Sequence, residues 1–378
     1  MSSNLNRLSE DWKNIDSIIL YGAGIVGRIC QHLFEKVNIN IPFIIDSDTD
    51  KQGTTWNGIP IISYEEAASR IKDKKIVIMT AHTAYNEISA FLETQGLAEY
   101  EDFCAIGQFI CEWFWIAKGM NCLYHVDMTI TTRCTFKCRN CNMFIPYYKE
   151  QRDCSFEEIK ENVDLLFERM DYIVYFALLG GEPTLNKDLG RILRYIGENY
   201  RDKCGRLAFV INGSIVPDED VLSAMKEYDI HLLISNYTEF IPYNDKFKKL
   251  IQILEERHLL FDVRYSQIWT DFGFPVSPVK RTPDEVKEHL RSCHPEWNGL
   301  NDGKFYYCNI SWSAEKSGHF KLKDSDYIVL KDIDPNDKEA CRKIVELSRG
   351  TSSFCRICGG CGKDNTNYVP VGVQINEA

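Results

Sequence analysis

No run of eighteen apolar residues occurs anywhere in the 378, so no membrane-spanning helix and no membrane partner are expected. The opening residues, Met1 to Asn6, lack the apolar stretch of a signal peptide. A soluble, cytoplasmic protein is the expectation. Basic residues are the minority charge, 44 Lys and Arg against 55 Asp and Glu, for a net charge of -11. That balance argues against a nucleic-acid partner, because contact with phosphates needs a basic face. Internal repeats and low-complexity tracts are absent as well, which removes solenoids and disordered linkers. A chain of this length has room for two or three domains, each with its own core.

Cysteine, by contrast, is plentiful, with 15 residues. In a short secreted chain these would suggest disulfides; in a long chain kept in a reducing compartment, clustered cysteines suggest metal ligands. Cys134, Cys138 and Cys141 stand in a C-x3-C-x2-C run of eight residues. Three thiolates so placed can hold three irons of a cubane and leave the fourth iron an open coordination position. A structural zinc site wants four ligands and no vacancy. The run follows a strand-like stretch, His125 to Thr132, in which Val126, Met128 and Ile130 alternate with polar neighbours. The thiols therefore fall on a loop just past a strand's C-terminal end, where α/β folds place their chemistry.

A second motif follows. The apolar stretch Tyr172 to Leu179 runs into Gly180-Gly181-Glu182-Pro183. With both motifs in order, the chain resembles the radical S-adenosylmethionine (SAM) enzymes over roughly Tyr124 to Cys361. The alternative is a fragment of a zinc ribbon followed by an ordinary Gly-Gly turn. The resemblance implies a SAM-binding [4Fe–4S] cluster on Cys134, Cys138 and Cys141, and a SAM contact at Gly180 to Pro183. Glycines let backbone approach a ligand, and the Glu182 carboxylate can accept from the methionyl ammonium. Asn140 departs from the family, which has an aromatic residue before the third cysteine, a position tied to the adenine contact.

From Leu123 the pattern is β–α–β. Ser155 to Glu158 reads as a capping box opening a helix to Met170. Strand 172–179, helix 187–199, strand 207–211, helix 218–227, strand 230–235, helix 245–257 and strand 260–265 follow. This predicts an α/β fold with a partial (β/α)6 barrel over 118–285. Asn212 and Ser235 end two of its strands. By resemblance they contact SAM, Ser235 at the ribose, and otherwise they are polar strand terminators. Two aromatic loops, Asn142 to Lys149 and Trp269 to Val276, either shield a radical from water or line the core.

Residues 1–117 suggest a Rossmann-like domain. Strand-like Ser17 to Tyr21 leads into Gly22-Ala23-Gly24-Ile25-Val26-Gly27, a helix through Leu33, a strand at Ile41 to Ile45, and Asp46. Gly22 permits the turn, Gly24 the approach of a phosphate, Gly27 helix packing, and Asp46 a ribose contact. Another strand is expected at Lys75 to Met79. The segment resembles small domains attached to sugar-modifying enzymes, which implies a nucleotide or nucleotide-sugar ligand. A docking module whose glycines serve only packing is the alternative. An aromatic helix, Phe109 to Met120, is expected to pack between the first two domains.

Over 286–378, Cys293, then Gly303-x4-Cys308, then Cys355-x2-Cys358 resemble a SPASM or twitch auxiliary domain. The resemblance implies a second [4Fe–4S] cluster with four thiolates, Cys361 being an alternative fourth ligand. A four-cysteine zinc site has the same spacing. The other cysteines lack ligand-like spacing and suit small buried positions, although Cys154 could donate a hydrogen atom to a radical. Together these features predict a radical SAM oxidoreductase. It would cleave SAM reductively to a 5′-deoxyadenosyl radical and oxidise an alcohol carbon of a carbohydrate-like substrate in glycan or natural-product biosynthesis. Flavodoxin or ferredoxin would supply electrons. Sugar epimerisation and peptide maturation are the rival outcomes.

Overall fold

The computed structural model describes residues 7–80, 82–293 and 297–375. Residues 1–6, where no signal peptide was expected, lie outside them. Among the described residues no helix is long and apolar enough to cross a membrane. The chain divides into two compact units. The first runs to Tyr124 and takes in Met170–Val174, and the second holds His125–Arg169 and the chain from Tyr175 onward.

The first unit carries β1 (Ile18–Tyr21), β2 (Ile44–Ile45), β3 (Thr55–Trp56), β4 (Ile59–Ile62), β5 (Lys75–Ile78) and β6 (Phe103–Ala105) in one sheet, ordered β3-β4-β2-β1-β5-β6. All neighbours are parallel except β3 on β4. The parallel strands thus follow the 3-2-1-4-5 order of a doubly wound sheet. Its helices are α1 (Ile25–Val37), α2 (Tyr64–Ala67), α3 (His82–Thr94), α4 (Ile106–Gln108) and α5 (Phe114–Lys118). The strand expected from Ile41 shrinks to Ile44–Ile45, because Pro42 has no N–H to give a ladder. The aromatic helix begins earlier than expected, at Ile106, and passes through a π turn at Phe109–Trp113 before ending at Gly119 in the left-handed region. Trp12, Phe109, Trp113 and Phe114 are buried in this unit's core, and Phe109 stacks on Trp113 at 4.8 Å.

Apart from the first three residues of β7 and of β8, which count with the first unit, the second unit holds β7 (Cys122–Thr131), α6 (Phe156–Phe167), β8 (Tyr172–Gly180), α7 (Leu189–Tyr200), β9 (Cys204–Ile211), α8 (Glu219–Glu227), β10 (His231–Asn236), α9 (Asn244–Glu256) and β11 (Phe261–Tyr265), which alternate as the sequence suggests. The Ser155–Glu158 capping box is formed in both directions. After β11 the winding stops. The short β12 (Ile268–Thr270) precedes α10 (Pro283–His289), β13 (Asn298–Asn301), β14 (Lys304–Tyr306), α11 (Asn309–Lys316), β15 (Tyr327–Val329), α12 (Lys338–Ser348) and β16 (Tyr368–Pro370). Among the described residues β12 pairs only with β16, antiparallel. The sheet runs β11-β10-β9-β8-β7-β13-β14-β15, so the sixth parallel strand is β13, added beside β7 rather than after β11. Where β13 ends, the Asn301 side chain continues the ladder and accepts from Thr129 N at 3.1 Å.

Candidate active site

The backbone leaves β7 at Thr131 and is held at once. Thr132 N donates to Arg152 O at 2.8 Å, and Arg133 pairs with Asp153 at 2.7 Å. The following loop presents the three thiols to N–H donors. Cys134 Sγ receives Phe136 N at 3.4 Å and Asn212 Nδ2 at 3.8 Å, and Cys138 Sγ receives Gln374 Nε2 at 3.2 Å. Cys141 faces the N–H groups of Ile145, Met143 and Phe144. Burial pushes the thiols up, Cys134 to about 12 and Cys138 to about 11, so these ligands become thiolates when a metal displaces the proton. N–H donors aimed at sulfur are what an iron–sulfur cluster needs around its ligands. These residues fit one. Among the described residues no three His, Cys, Asp or Glu side chains converge as the ligands of a single ion do.

The Gly180–Pro183 motif lies directly on this loop. Gly181 N donates to Thr131 O at 3.0 Å and Glu182 N to Arg133 O at 2.8 Å. A Cβ at Gly180 would stand 2.2 Å from Thr131 O, and one at Gly181 2.1 Å from Arg133 O. The glycines are thus demanded by chain packed on chain, a different reason from the ligand approach expected of them. Glu182 is fully buried. It accepts from Thr184 Oγ1 at 2.6 Å, Thr184 N at 3.2 Å and Asn212 N at 2.7 Å. Of roughly four lone-pair sites on a carboxylate, about one is left for an ammonium. Burial raises its pKa against these donors.

Asn212 ties the motifs together, donating to Thr135 Oγ1 at 2.9 Å as well as facing Cys134. Ile211 pairs with Ile234, which sets Ser235 in the same row on the next strand. Ser235 hydrogen-bonds the Tyr237 hydroxyl. Sequence inspection missed an aromatic wall here. Phe136 lies 5.4 Å from Tyr243 and 6.4 Å from Tyr237, and Tyr237 lies 5.5 Å from Trp269. The two aromatic loops otherwise serve the core, with Phe144 4.8 Å from Phe274 and both buried. Cys154 lies elsewhere. It lines a polar cavity of ≈ 610 Å³ with Arg152, Glu158 and Asp302, which none of Cys134, Cys138, Cys141 or Gly180–Pro183 lines. Its thiol is half-buried, donates to Thr129 O at 3.6 Å, and is pushed up to about 11, chiefly by desolvation.

Residues 128–237 match the model of the radical SAM superfamily. The chain thus carries a radical SAM domain. Its radical SAM domain is therefore a site for a [4Fe–4S] cluster and SAM. Residues 14–102 match the C2185-like N-terminal family. A curated relative, the Fe-coproporphyrin III synthase of Methanosarcina barkeri, is 29% identical over 123 residues, 32% of this chain and 29% of that protein's length. Among solved structures, BtrN with AdoMet and 2-DOIA is 17% identical with a TM-score of 0.37, covering 63% of this chain and 94% of BtrN. An anSMEcpe structure with AdoMet is 14% identical with a TM-score of 0.40, covering 63% and 89%.

Beyond the radical SAM domain, the fold gathers the C-terminal cysteines. Cys293, Cys308, Cys355, Cys358 and Cys361 all line one cavity of ≈ 30 Å³, with His289, Phe272 and Tyr307. Cys293 and Cys361, 68 positions apart, lie 3.7 Å sulfur to sulfur. Burial raises the thiols of Cys308, Cys355 and Cys358. A hydrogen bond with Cys361 raises Cys293, and the same bond lowers Cys361. The donor set is all thiol on a shared cavity, which fits a cluster ligated by four cysteines. Cys30, Cys104, Cys111, Cys122, Cys204 and Cys341 are buried.

In the first unit, Gly22 has φ +113 and a Cβ there would meet Thr80 at 2.9 Å, so the turn requires glycine. Gly24 precedes α1 with open space around it, and a Cβ at Gly27 would lie 3.4 Å from the Trp56 ring. Asp46 is engaged by the turn itself. Its carboxylate accepts from Ala23 N at 2.7 Å and Asp48 N at 2.9 Å and pairs with Lys51 at 3.3 Å. With β2 only two residues long, the acid falls against the glycine turn and clamps it.

Proposed function

We propose that this radical SAM enzyme is an oxidoreductase that removes two hydrogens from an alcohol carbon of a carbohydrate-like substrate. In this reading residues 118–285 are the radical SAM barrel, 286–378 a twitch-like auxiliary domain, and 1–117 a nucleotide or nucleotide-sugar module. The observation that carries it is the cavity ringed by Cys293, Cys308, Cys355, Cys358 and Cys361, a second cluster site in the unit that holds the first. Cys134, Cys138 and Cys141 would hold the first cluster, which with SAM supplies a 5′-deoxyadenosyl radical. Four of the five C-terminal thiols would hold the second, which supplies a one-electron acceptor.

The chain's own residues set the conditions. Asn212 and Gln374 direct N–H groups at the ligating sulfurs, and Glu182 holds the ends of β8 and β9 together while keeping one acceptor position for the methionyl ammonium. Phe136, Tyr237, Tyr243 and Trp269 keep water from the loop. Cys154, turned into its own cavity, is poorly placed to return a hydrogen atom, which favours oxidation over epimerisation. The 3-2-1-4-5 sheet and the open approach at Gly24 support the nucleotide module.

The test uses the anaerobically reconstituted full chain with SAM, a flavodoxin or ferredoxin reductant, and a panel of nucleotide sugars and aminocyclitols deuterated at their carbinol carbons. The expected product lacks two hydrogens, deuterium appears in 5′-deoxyadenosine, and one SAM is consumed per product. With the unlabelled substrate, a product of unchanged mass in ordinary water that gains one solvent deuteron in heavy water would replace oxidation with epimerisation.

A further inference from the structure

His289 lines the auxiliary cavity beside the thiols and is 3% exposed. It is the last residue of α10, a helix whose start is fixed by the Thr282–Glu285 capping box and Pro283. Its Nδ1 lies 2.6 Å from Asp364 Oδ1, and the other Asp364 oxygen accepts from Arg281 Nη2 at 2.8 Å. Arg281 is in turn tied to the cysteine turn, donating to the carbonyls of Cys355 at 3.4 Å, Gly359 at 3.1 Å, and Cys358. The remaining ring nitrogen faces Cys293. A Cβ on Gly360 would fall 2.5 Å from His289 Nε2 and 2.9 Å from Cys293 Sγ, so nitrogen and sulfur share the space beneath that glycine. On the ring's other side a Cβ at Gly362 would fall 2.8 Å from Nδ1. Backbone packed this tightly leaves the ring no freedom to turn away.

A carboxylate that fixes the outer nitrogen of a histidine is a usual second layer of a metal site, where it sets the ring's orientation. Here the inner nitrogen meets a cysteine sulfur. We propose that Arg281, Asp364 and His289 form a relay that delivers an N–H···S hydrogen bond to Cys293 and raises the reduction potential of the cluster held there. The inference rests on the cavity being an iron–sulfur site, as argued under Proposed function. A hydrogen bond to a ligating sulfur stabilises the more negative, reduced cluster. A site that must accept an electron from a substrate radical gains from that stabilisation. His289 is thus a positioning residue, acting on the reaction through Cys293.

The experiment uses the full chain with Cys134, Cys138 and Cys141 all changed to Ala, so that iron reports only on the auxiliary site. Iron content and an EPR-monitored redox titration are measured with and without His289→Leu, His289→Gln and Asp364→Asn. His289→Leu should keep its iron and lose at least tenfold in the reduction equilibrium, a drop of about 59 mV for one electron. Asp364→Asn should show part of that drop, and His289→Gln, which retains an N–H donor, should recover most of it. An unchanged potential in His289→Leu at full iron content would overturn the relay. Should that variant hold no iron, an unchanged potential in Asp364→Asn overturns it instead. A three-iron EPR signal in His289→Leu also overturns it, by making the histidine a ligand. Absence of iron from the triple variant itself would remove the auxiliary cluster and the relay with it.

Discussion

Cys134, Cys138 and Cys141 are placed by a single loop after β7, whereas Cys293 and Cys361 meet at 3.7 Å across 68 positions of chain. The first site needs little of the fold to exist as a constellation. The second needs the 272–281 segment laced to 356–359, with Gly359 N on Phe272 O at 2.8 Å, Arg281 N on Arg356 O at 2.9 Å and Val279 N on Ile357 O at 3.1 Å. Yet both are finished in the same way. A Gly-Gly pair lets a distant backbone press on a cysteine-bearing segment, Gly180–Gly181 on Thr131 to Cys134 and Gly359–Gly360 on Phe272, His289 and Cys293. The comparison teaches that close backbone approach is the shared requirement, and sequence proximity of the ligands is not.

The largest effect should come from removing the local site. Changing Cys134, Cys138 and Cys141 to Ala should abolish 5′-deoxyadenosine formation while leaving about four irons in the second site. Chromatography of the reaction and iron analysis read the two outcomes separately. SAM cleavage surviving in that variant would contradict the assignment of the loop.

The distributed site should break more selectively. Cys308→Ser should lose the second complement of about four irons and keep SAM cleavage. Cys361→Ser should keep both complements, because Cys361 is the exposed member of the five and stands as the spare ligand. Loss of iron from Cys361→Ser with retention in Cys355→Ser or Cys358→Ser would reassign the ligand set. Zinc in place of iron at this site would leave the comparison standing but change its metal.

The glycine parallel is the finest test. Gly181→Ala puts a Cβ 2.1 Å from Arg133 O, and Gly360→Ala puts one 2.5 Å from His289 Nε2 at φ +66. Each should cost about 1–3 kcal/mol in denaturant unfolding through forced backbone shifts and lower the iron of its own site. Gly24→Ala, with nothing within 4 Å, should change stability by less than about 0.5 kcal/mol. Equal effects at all three positions would show that general glycine loss, rather than close approach, sets the outcome.

Legibility followed sequence distance. The alternation of Val126, Met128 and Ile130, the Ser155–Glu158 box and the Gly180–Pro183 motif are local patterns, and β7, α6 and the end of β8 stand where they indicate. Gln374 carries no such mark. It reaches Cys138 from 236 positions away because the chain after β16 crosses the cysteine loop, with Arg139 N donating to Val373 O at 2.8 Å and Ile375 N to Lys137 O at 2.7 Å. His289 likewise shows no ligand spacing, and only the packing of α10 against Gly360 and Gly362 sets it beside Cys293.

What the sequence determined by itself is the radical SAM domain, the three-cysteine loop and the α/β alternation, since each depends on spacing within a few residues or on a period of side chains. Tertiary structure alone decided that Asp46 clamps a turn, that Cys154 faces its own cavity, that β13 joins beside β7, and that five scattered thiols enclose one space. The physical reason is that a hydrogen bond or a shared cavity depends on where two backbones meet, and that meeting is set by the packing of the whole unit.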